Sequence, residues 1–296
     1  MPRSATANLE RLWLGAMPSL FVVLWSTGFI GAKLGLPYAE PMTFLALRFA
    51  IVAALLLILC WIARAPWPAS RMEVLHIAIA GLLLHGVYLG GVFASIFHGV
   101  QAGVSALIVG IQPLLTAAVA GRLLGERVSA LQWTGLVLGL CGVALVVGEK
   151  LAAGLGTPFA MSLSVLALLG ITAGTIYQKK FCGGMDLRSG NVIQFAAAGF
   201  ATFLLALAFE TRAIVWSGEF IFAMAWLCLV LSLGAITLLY ILIRRGAAAR
   251  VSSLFYMVPP CTALVAYFLF DERLSYLALV GMALAAVGVA LVNVRR

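Results

Sequence analysis

The sequence predicts an all-α polytopic membrane protein, ten transmembrane helices arranged as two inverted five-helix repeats. Three observations carry that prediction. Hydrophobic residues make up 64% of the 296 positions and charged residues 10%, against about 45–50% and about 25% in soluble domains. Uncharged runs of bilayer length recur from one end of the chain to the other. A shift of 146 residues lays Pro113–Val146 on Pro259–Val292 with 17 of 34 positions identical, and similarity at a fixed spacing marks a duplicated fold.

Cutting the chain at charged residues leaves runs at 12–32, 49–63, 74–121, 128–148, 151–178, 189–209, 220–243, 251–270 and 274–294. A helical crossing needs about 20 apolar residues, so 74–121 holds two helices that turn near His98 and Gly99, and the count is ten. The short run 49–63 must extend back through Arg48 towards Met42, which places a guanidinium at membrane depth. The first run is longer than the apolar region of a cleaved signal peptide and reads as a retained span. Of the 19 Lys and Arg, 14 fall at one face of the membrane when both termini are cytoplasmic; the others are Lys33, Arg48, Lys150, Arg212 and Arg273. That asymmetry fixes the expected orientation in a bacterial-type inner membrane and explains the net charge of +9 without nucleic acid. The five cysteines stand singly, with no zinc or redox spacing.

The duplication extends beyond the aligned block. ERVSAL at 126–131 returns as ERLSYL at 272–277, and the same shift pairs Gly28 with Gly174, Lys33 with Lys179, and Phe49-Ala50 with Phe195-Ala196. The repeats are therefore expected at 1–148 and 149–296. Five crossings per repeat turn the second copy upside down, so the two hairpins lie at opposite faces, with Ser129 and Ser275 placed to cap the helices that follow. Inverted repeats are the architecture of many secondary transporters, because related halves can exchange the roles of inner and outer gate around one site. A channel is the alternative that the repeat leaves open.

Particular stretches resemble a known family. WSTGFIGAK (Trp25–Lys33), LRFA (Leu47–Ala50), the proline near the middle of helix 4 and the block GERVSALQWTGLVLGLCGVALVV (Gly125–Val147) are similar to the EamA family of the drug/metabolite transporter superfamily, and within it to YddG-like exporters of aromatic amino acids. The resemblance spans essentially the whole chain. It implies ten helices in two inverted bundles and export of amino acids or related metabolites; another small metabolite or a drug is the alternative cargo. ITAGTIYQK (Ile171–Lys179), the second-half counterpart of WSTGFIGAK, keeps the Gly and Lys and lacks the Trp.

Polar and aromatic side chains gather near the middle of the spans, where hydrocarbon would penalise them unless they face a cavity or another helix. His85 and Tyr88 share a face of helix 3, and Ser105 and Gln112 share a face of helix 4. Helix 6 adds Thr172, Thr175 and Gln178, helix 8 adds Ser232, Thr237 and Tyr240, and helix 9 adds Ser252, Ser253 and Tyr256. The expected binding set for a zwitterionic substrate is Trp25, His85, Tyr88, Gln112, Thr175, Gln178, Tyr240 and Tyr256. Pro113, Pro259 and Pro260 break the backbone ladder of helices 4 and 9 and are the candidate hinges. Lys33 and Arg48 either snorkel or guide a carboxylate. Gly135, Gly139, Gly281 and Ala285 form small-residue faces suited to packing or to a homodimer.

No Asp or Glu lies inside a span, and His85 is the one group able to titrate at mid-membrane. Facilitated transport is therefore expected, with proton coupling through His85 as its alternative. No phosphate-binding loop, nucleophile elbow or HExxH motif is present, so no enzyme activity, cofactor or metal is expected. The partners are a small-molecule substrate and membrane lipid, with the protein a monomer or homodimer.

Overall fold

A computed structural model describes residues 3–100, 102–151, 156–270 and 275–294. The chain runs as α1 (Arg3–Gly35), α2 (Pro41–Ile62), α3 (Arg71–Phe97), α4 (Ala102–Val109, then Gln112–Leu124), α5 (Ala130–Leu151), α6 (Pro158–Phe181), α7 (Leu187–Phe209) and α8 (Gly218–Arg245). It continues as α9, which opens as Ala248–Ser253, tightens over a 3-10 turn at Leu254–Met257 and resumes as Val258–Phe270, and ends with α10 (Tyr276–Asn293). Seven helices among the described residues are long and apolar enough to cross a membrane, and the apolar stretches Ala16–Gly28 and Ala130–Val146 are shorter. The described residues contain no β-strand, only an isolated bridge between Ala39 and Ile214.

Local chemistry starts and stops these helices. The hydroxyls of Ser70, Thr157, Ser217 and Ser275 each accept from the N–H three residues on. Ser129 and Gln132 form a reciprocal capping box, with Gln132 N–H on Ser129 Oγ at 3.3 Å and Ser129 N–H on Gln132 Oε1 at 2.9 Å. Asp186 caps α7 and is gripped by Arg188 at 2.8 Å, which holds its carboxyl below the usual carboxylate range. Gly125 ends α4 at φ 68°, in the left-handed region that a side chain would strain.

Equivalent pieces of the two repeats face one another. Gly135 and Gly281 are equivalent by the 146-residue shift, as are Gly142 and Gly288. In the folded chain Gly135 lies against Gly288 and Gly142 against Gly281, each close enough that a Cβ would sit 2.6 Å from the partner's carbonyl oxygen. That exchange of partners is what a two-fold relation demands, and it makes α5 and α10 antiparallel. These small-residue faces are thus spent inside the chain, not on a second copy. α2 and α7 pair likewise, with the equivalent rings of Phe49 and Phe195 5.7 Å apart. Even the irregularities repeat: α3 loosens into a π-helical stretch at Leu82–Val87 and α8 at Leu227–Ala235, segments that the same shift overlays.

One end of the bundle carries Arg64, Arg71, Arg122, Arg127 and Lys179 and is called here the basic end; the other carries Glu40, Glu210 and Glu219. At this acidic end Glu210 accepts from the N–H groups of Met42 and Thr43 at 2.7 Å, capping α2 from a neighbouring loop, and Glu40 accepts from Thr211 N–H at 2.7 Å.

Candidate functional site

Midway along the bundle the two interrupted helices meet. α4 breaks at Gly110-Ile111, where Pro113 has no N–H to donate to Val109, and α9 narrows to its 3-10 turn just ahead of Pro259 and Pro260. These interruptions are equivalent in the repeat, and both open onto one cavity. With its open mouth included it measures about 430 Å³, and it is walled by Trp25, Tyr88, Ser105, Gln112, Phe255 and Pro259. A second cavity of about 530 Å³ adjoins it through Trp25, Tyr88 and Val92 and is walled further by Arg48, Phe93 and Leu231.

Aromatic rings define the shared wall. Trp25 stands edge-on to Phe255 at 5.3 Å, and Phe21 closes the triangle at 5.2 Å from Trp25 and 5.4 Å from Phe255. Gln112 faces the first cavity: its amide nitrogen donates to Thr116 Oγ1 at 3.0 Å and Ser252 Oγ at 2.9 Å, while its carbonyl oxygen is buried with no donor. A ligand N–H or ammonium would satisfy it. Hydroxyls of Ser95, Ser164 and Ser105 form a chain at 2.6 and 2.9 Å that ties α3 and α6 to α4.

Towards the basic end the bundle is shut. His85 lies fully buried, stacked on Phe195 at 4.3 Å and hydrogen-bonded through Nε2 to the Tyr240 hydroxyl at 3.1 Å. Tyr240 donates to Gln194, whose amide nitrogen donates to Gln178 at 2.8 Å. Beyond this plug, Glu126 pairs with Lys179 at 2.6 Å and accepts from Ala248 N–H at 2.9 Å, capping α9, while Lys179 also donates to Gly246 O.

The expected binding set is therefore divided. Trp25, Tyr88 and Gln112 line the cavities, joined by Arg48 and Pro259. His85, Gln178 and Tyr240 form the plug and line neither cavity, and Thr175 is buried on α6 beside it. Tyr256 points away, its ring against Gly139 of α5 and its hydroxyl buried without a partner. Pro113 and Pro260 are on the interrupted helices but not among the lining residues. Lys33 is on α1, and its side chain lies outside the described ones, as does all of Glu272. Sequence reasoning passed over Phe255, an ordinary phenylalanine in an apolar run. It also passed over Gln194, whose signal was its place 146 residues after Arg48.

Gln112→Ala is expected to weaken substrate half-saturation at least five-fold, because it removes the cavity's unpaired acceptor and strands Ser252. Tyr256→Phe deletes a hydroxyl that has no partner, and removal of an unsatisfied group is neutral or stabilising, so flux should be unchanged and the Tm equal or higher. Flux assays and thermal unfolding of the two variants check both statements.

Helices interrupted at equivalent depths around a cavity inside a multi-pass bundle are an arrangement found in many secondary transporters. Residues 13–148 and 158–294 each match the EamA-like transporter family, and the chain belongs to it. It is 27% identical over 303 aligned residues to "Uncharacterized transporter YvbV" of Bacillus subtilis (strain 168), covering 100% of this chain and 93% of that one. It is 26% identical over 280 residues to "Uncharacterized inner membrane transporter YedA" of Escherichia coli (strain K12), covering 94% and 90%. A third relative, "Probable amino-acid metabolite efflux pump" of Escherichia coli (strain K12), is 23% identical over 287 residues, covering 93% and 92%. One solved crystal structure superimposes with a TM-score of 0.76 at 21% identity, over 94% of this chain and 95% of the other, and shares the fold.

Proposed function

We propose that this transporter exports small neutral amino acids, aromatic ones among them, by alternating access and without energy coupling. One observation carries the reading: a cavity at two equivalent helix interruptions, plugged towards the basic end by the Glu126–Lys179 pair and the Tyr240–Gln194–Gln178 chain. Trp25, Tyr88 and Phe255 suit an apolar or aromatic side chain, and the free Gln112 oxygen suits an ammonium. The printed name of the efflux-pump relative agrees with cargo of this kind.

In this reading the chain crosses a bacterial inner membrane ten times, as inverted halves 1–148 and 149–296 with both termini cytoplasmic. Closure then alternates between repeat-related pairs. Lys179 and Glu126 shut the cytoplasmic end, and their counterparts Lys33 and Glu272 shut the other when the halves exchange conformations. Cysteines at positions 126 and 272 should accordingly react with an impermeant thiol reagent from opposite faces of the membrane; reaction from one face only would remove the inversion.

The function itself is tested in proteoliposomes. Labelled neutral amino acids should show saturable counterflow, and an imposed pH gradient or membrane potential should leave their final internal and external concentrations equal. His85 bonds no carboxylate among the described residues, and its Nε2 is engaged by Tyr240. Unsaturable flux would indicate a channel, and protonophore-sensitive accumulation would make the protein a proton-coupled carrier.

A further inference from the structure

Arg48 is a buried cation whose counter-charge the protein does not supply. It is 3% exposed, two turns inside α2, whereas the carboxylates of the long apolar helices, Glu73 and Glu219, stand in the first turns of α3 and α8. Among the described residues the ion pairs are Lys179–Glu126 and Arg188–Asp186, so Arg48 belongs to neither. Its Nε and Nη2 both donate to the same neutral oxygen, Ser232 Oγ, at 3.2 and 3.1 Å, and Nη1 has no partner among the described residues. A guanidinium keeps its proton at neutral pH, and buried charges in proteins are ordinarily paired.

The fold does not need this charge. Arg48 is equivalent to Gln194 in the second repeat, and there an uncharged amide occupies the matching place between α2 and α7. The cation is therefore an addition to one half of a symmetric scaffold. It is also placed for a ligand, because Arg48 lines the 530 Å³ cavity together with Trp25 and Tyr88, the residues that join that cavity to its neighbour.

We propose that Arg48, oriented by Ser232, is the carboxylate-binding group of the cavity, and that the substrate's own carboxylate completes the ion pair. The proposal rests on the reading of the protein as an amino-acid carrier and names the part of the substrate that the carrier recognises. The planar fork of the guanidinium can meet both oxygens of a carboxylate, with the aromatic wall of Trp25 and Tyr88 beside it. Recognition then requires the acid: an amine of the same shape would leave the guanidinium unpaired and bring a second positive charge towards it. Cationic compounds without a carboxylate are excluded by the same repulsion.

The test compares phenylalanine with its two half-analogues, 3-phenylpropionate, which keeps the carboxylate, and 2-phenylethylamine, which keeps the ammonium. In counterflow of labelled phenylalanine, 3-phenylpropionate should compete at least ten-fold better than 2-phenylethylamine. Arg48→Gln copies the residue of the second repeat and so preserves the packing; it should raise half-saturation at least ten-fold and abolish the acid-over-amine preference. Ser232→Ala should weaken the preference without removing it. Thermal unfolding of the full chain in detergent reads binding without transport: 3-phenylpropionate should raise the Tm of the wild type and not that of Arg48→Gln. Should phenylalanine show no saturable flux, the amino-acid reading fails, and the Tm comparison still decides the carboxylate site. Equal effects of acid and amine, or an unchanged preference in Arg48→Gln, would overturn the proposal. An Arg48-dependent Tm shift produced equally by sodium chloride at the concentration used for 3-phenylpropionate would also overturn it, making the site one for inorganic anions.

Discussion

Glu126→Ala is expected to open the basic end of the bundle, accelerating modification of Cys182 from that face at least ten-fold and slowing counterflow by a similar factor. The carboxylate performs two jobs across the boundary between the repeats. It caps the first N–H of α9 with both oxygens, at 3.0 and 2.9 Å, and it neutralises Lys179 at 2.6 Å. A lost cap costs about 1 kcal/mol. The ion pair is mostly shielded, its side chains 23% and 13% exposed, so it ranks between surface pairs at about 0–1 kcal/mol and buried ones whose breakage costs about 3–5 kcal/mol. Together the losses reach about 2–3 kcal/mol, more than the 1.4 kcal/mol that shifts an equilibrium ten-fold. Cys182 reports the change because it is buried at the end of α6, one turn beyond Lys179. Glu126→Gln keeps an acceptor for Ala248 while losing the charge, and its effect should be intermediate. The measurement is the rate of thiol modification in a variant with Cys182 as its one cysteine; rates matching the parent in both variants would refute the closure assigned to this pair.

Gly142→Val is expected to do more, preventing the two repeats from joining at all. A Cβ at Gly142 would lie 2.4 Å from the backbone nitrogen of Ala285 and 2.6 Å from the oxygen of Gly281. Both are main-chain atoms, so no side chain can rotate out of the way and α10 must retreat. Overpacking of an ordinary core costs about 1–3 kcal/mol, and an immovable backbone on the far side places this case at or above the upper limit. Gly281→Val should behave in the same way, since its Cβ meets Gly142 O at 2.6 Å and Val146 N at 2.8 Å. Gly148→Ala is the control, with nothing within 4 Å of the added carbon. Size-exclusion profiles and Tm values in detergent distinguish the cases. A monodisperse Gly142→Val protein with the parent's Tm would show that α5 and α10 are not held at this separation.

Much of the architecture was legible before any coordinates. The charge-free runs anticipated the seven long apolar helices, and the back-extension of the second run to reach bilayer length anticipated α2 starting at Pro41 with Arg48 inside it. The sequence marked Gly135, Gly139, Gly281 and Ala285 as small-residue faces, although not what those faces meet; the folded chain sets Gly135 against Gly288 and Gly142 against Gly281. Irregular geometry was harder to foresee. The prolines marked the interruptions of α4 and α9, but no residue announces the π-helical stretches that place His85 and Ser232.

Composition and periodicity by themselves determined that this chain is a membrane protein built as a repeat, and its motifs determined its family. The tertiary structure alone decided which polar residues converge. In water, a helix declares its buried face by contrast with its charged one. In a bilayer the lipid-facing and core-facing surfaces are both apolar, so Tyr88, Tyr240 and Tyr256 look alike in the sequence, although one lines the cavity, one joins the plug and one packs against Gly139. The tertiary structure also decided which end is closed. Closure depends on contacts between residues far apart in the chain, and at the basic end Glu126 with Lys179 is such a contact.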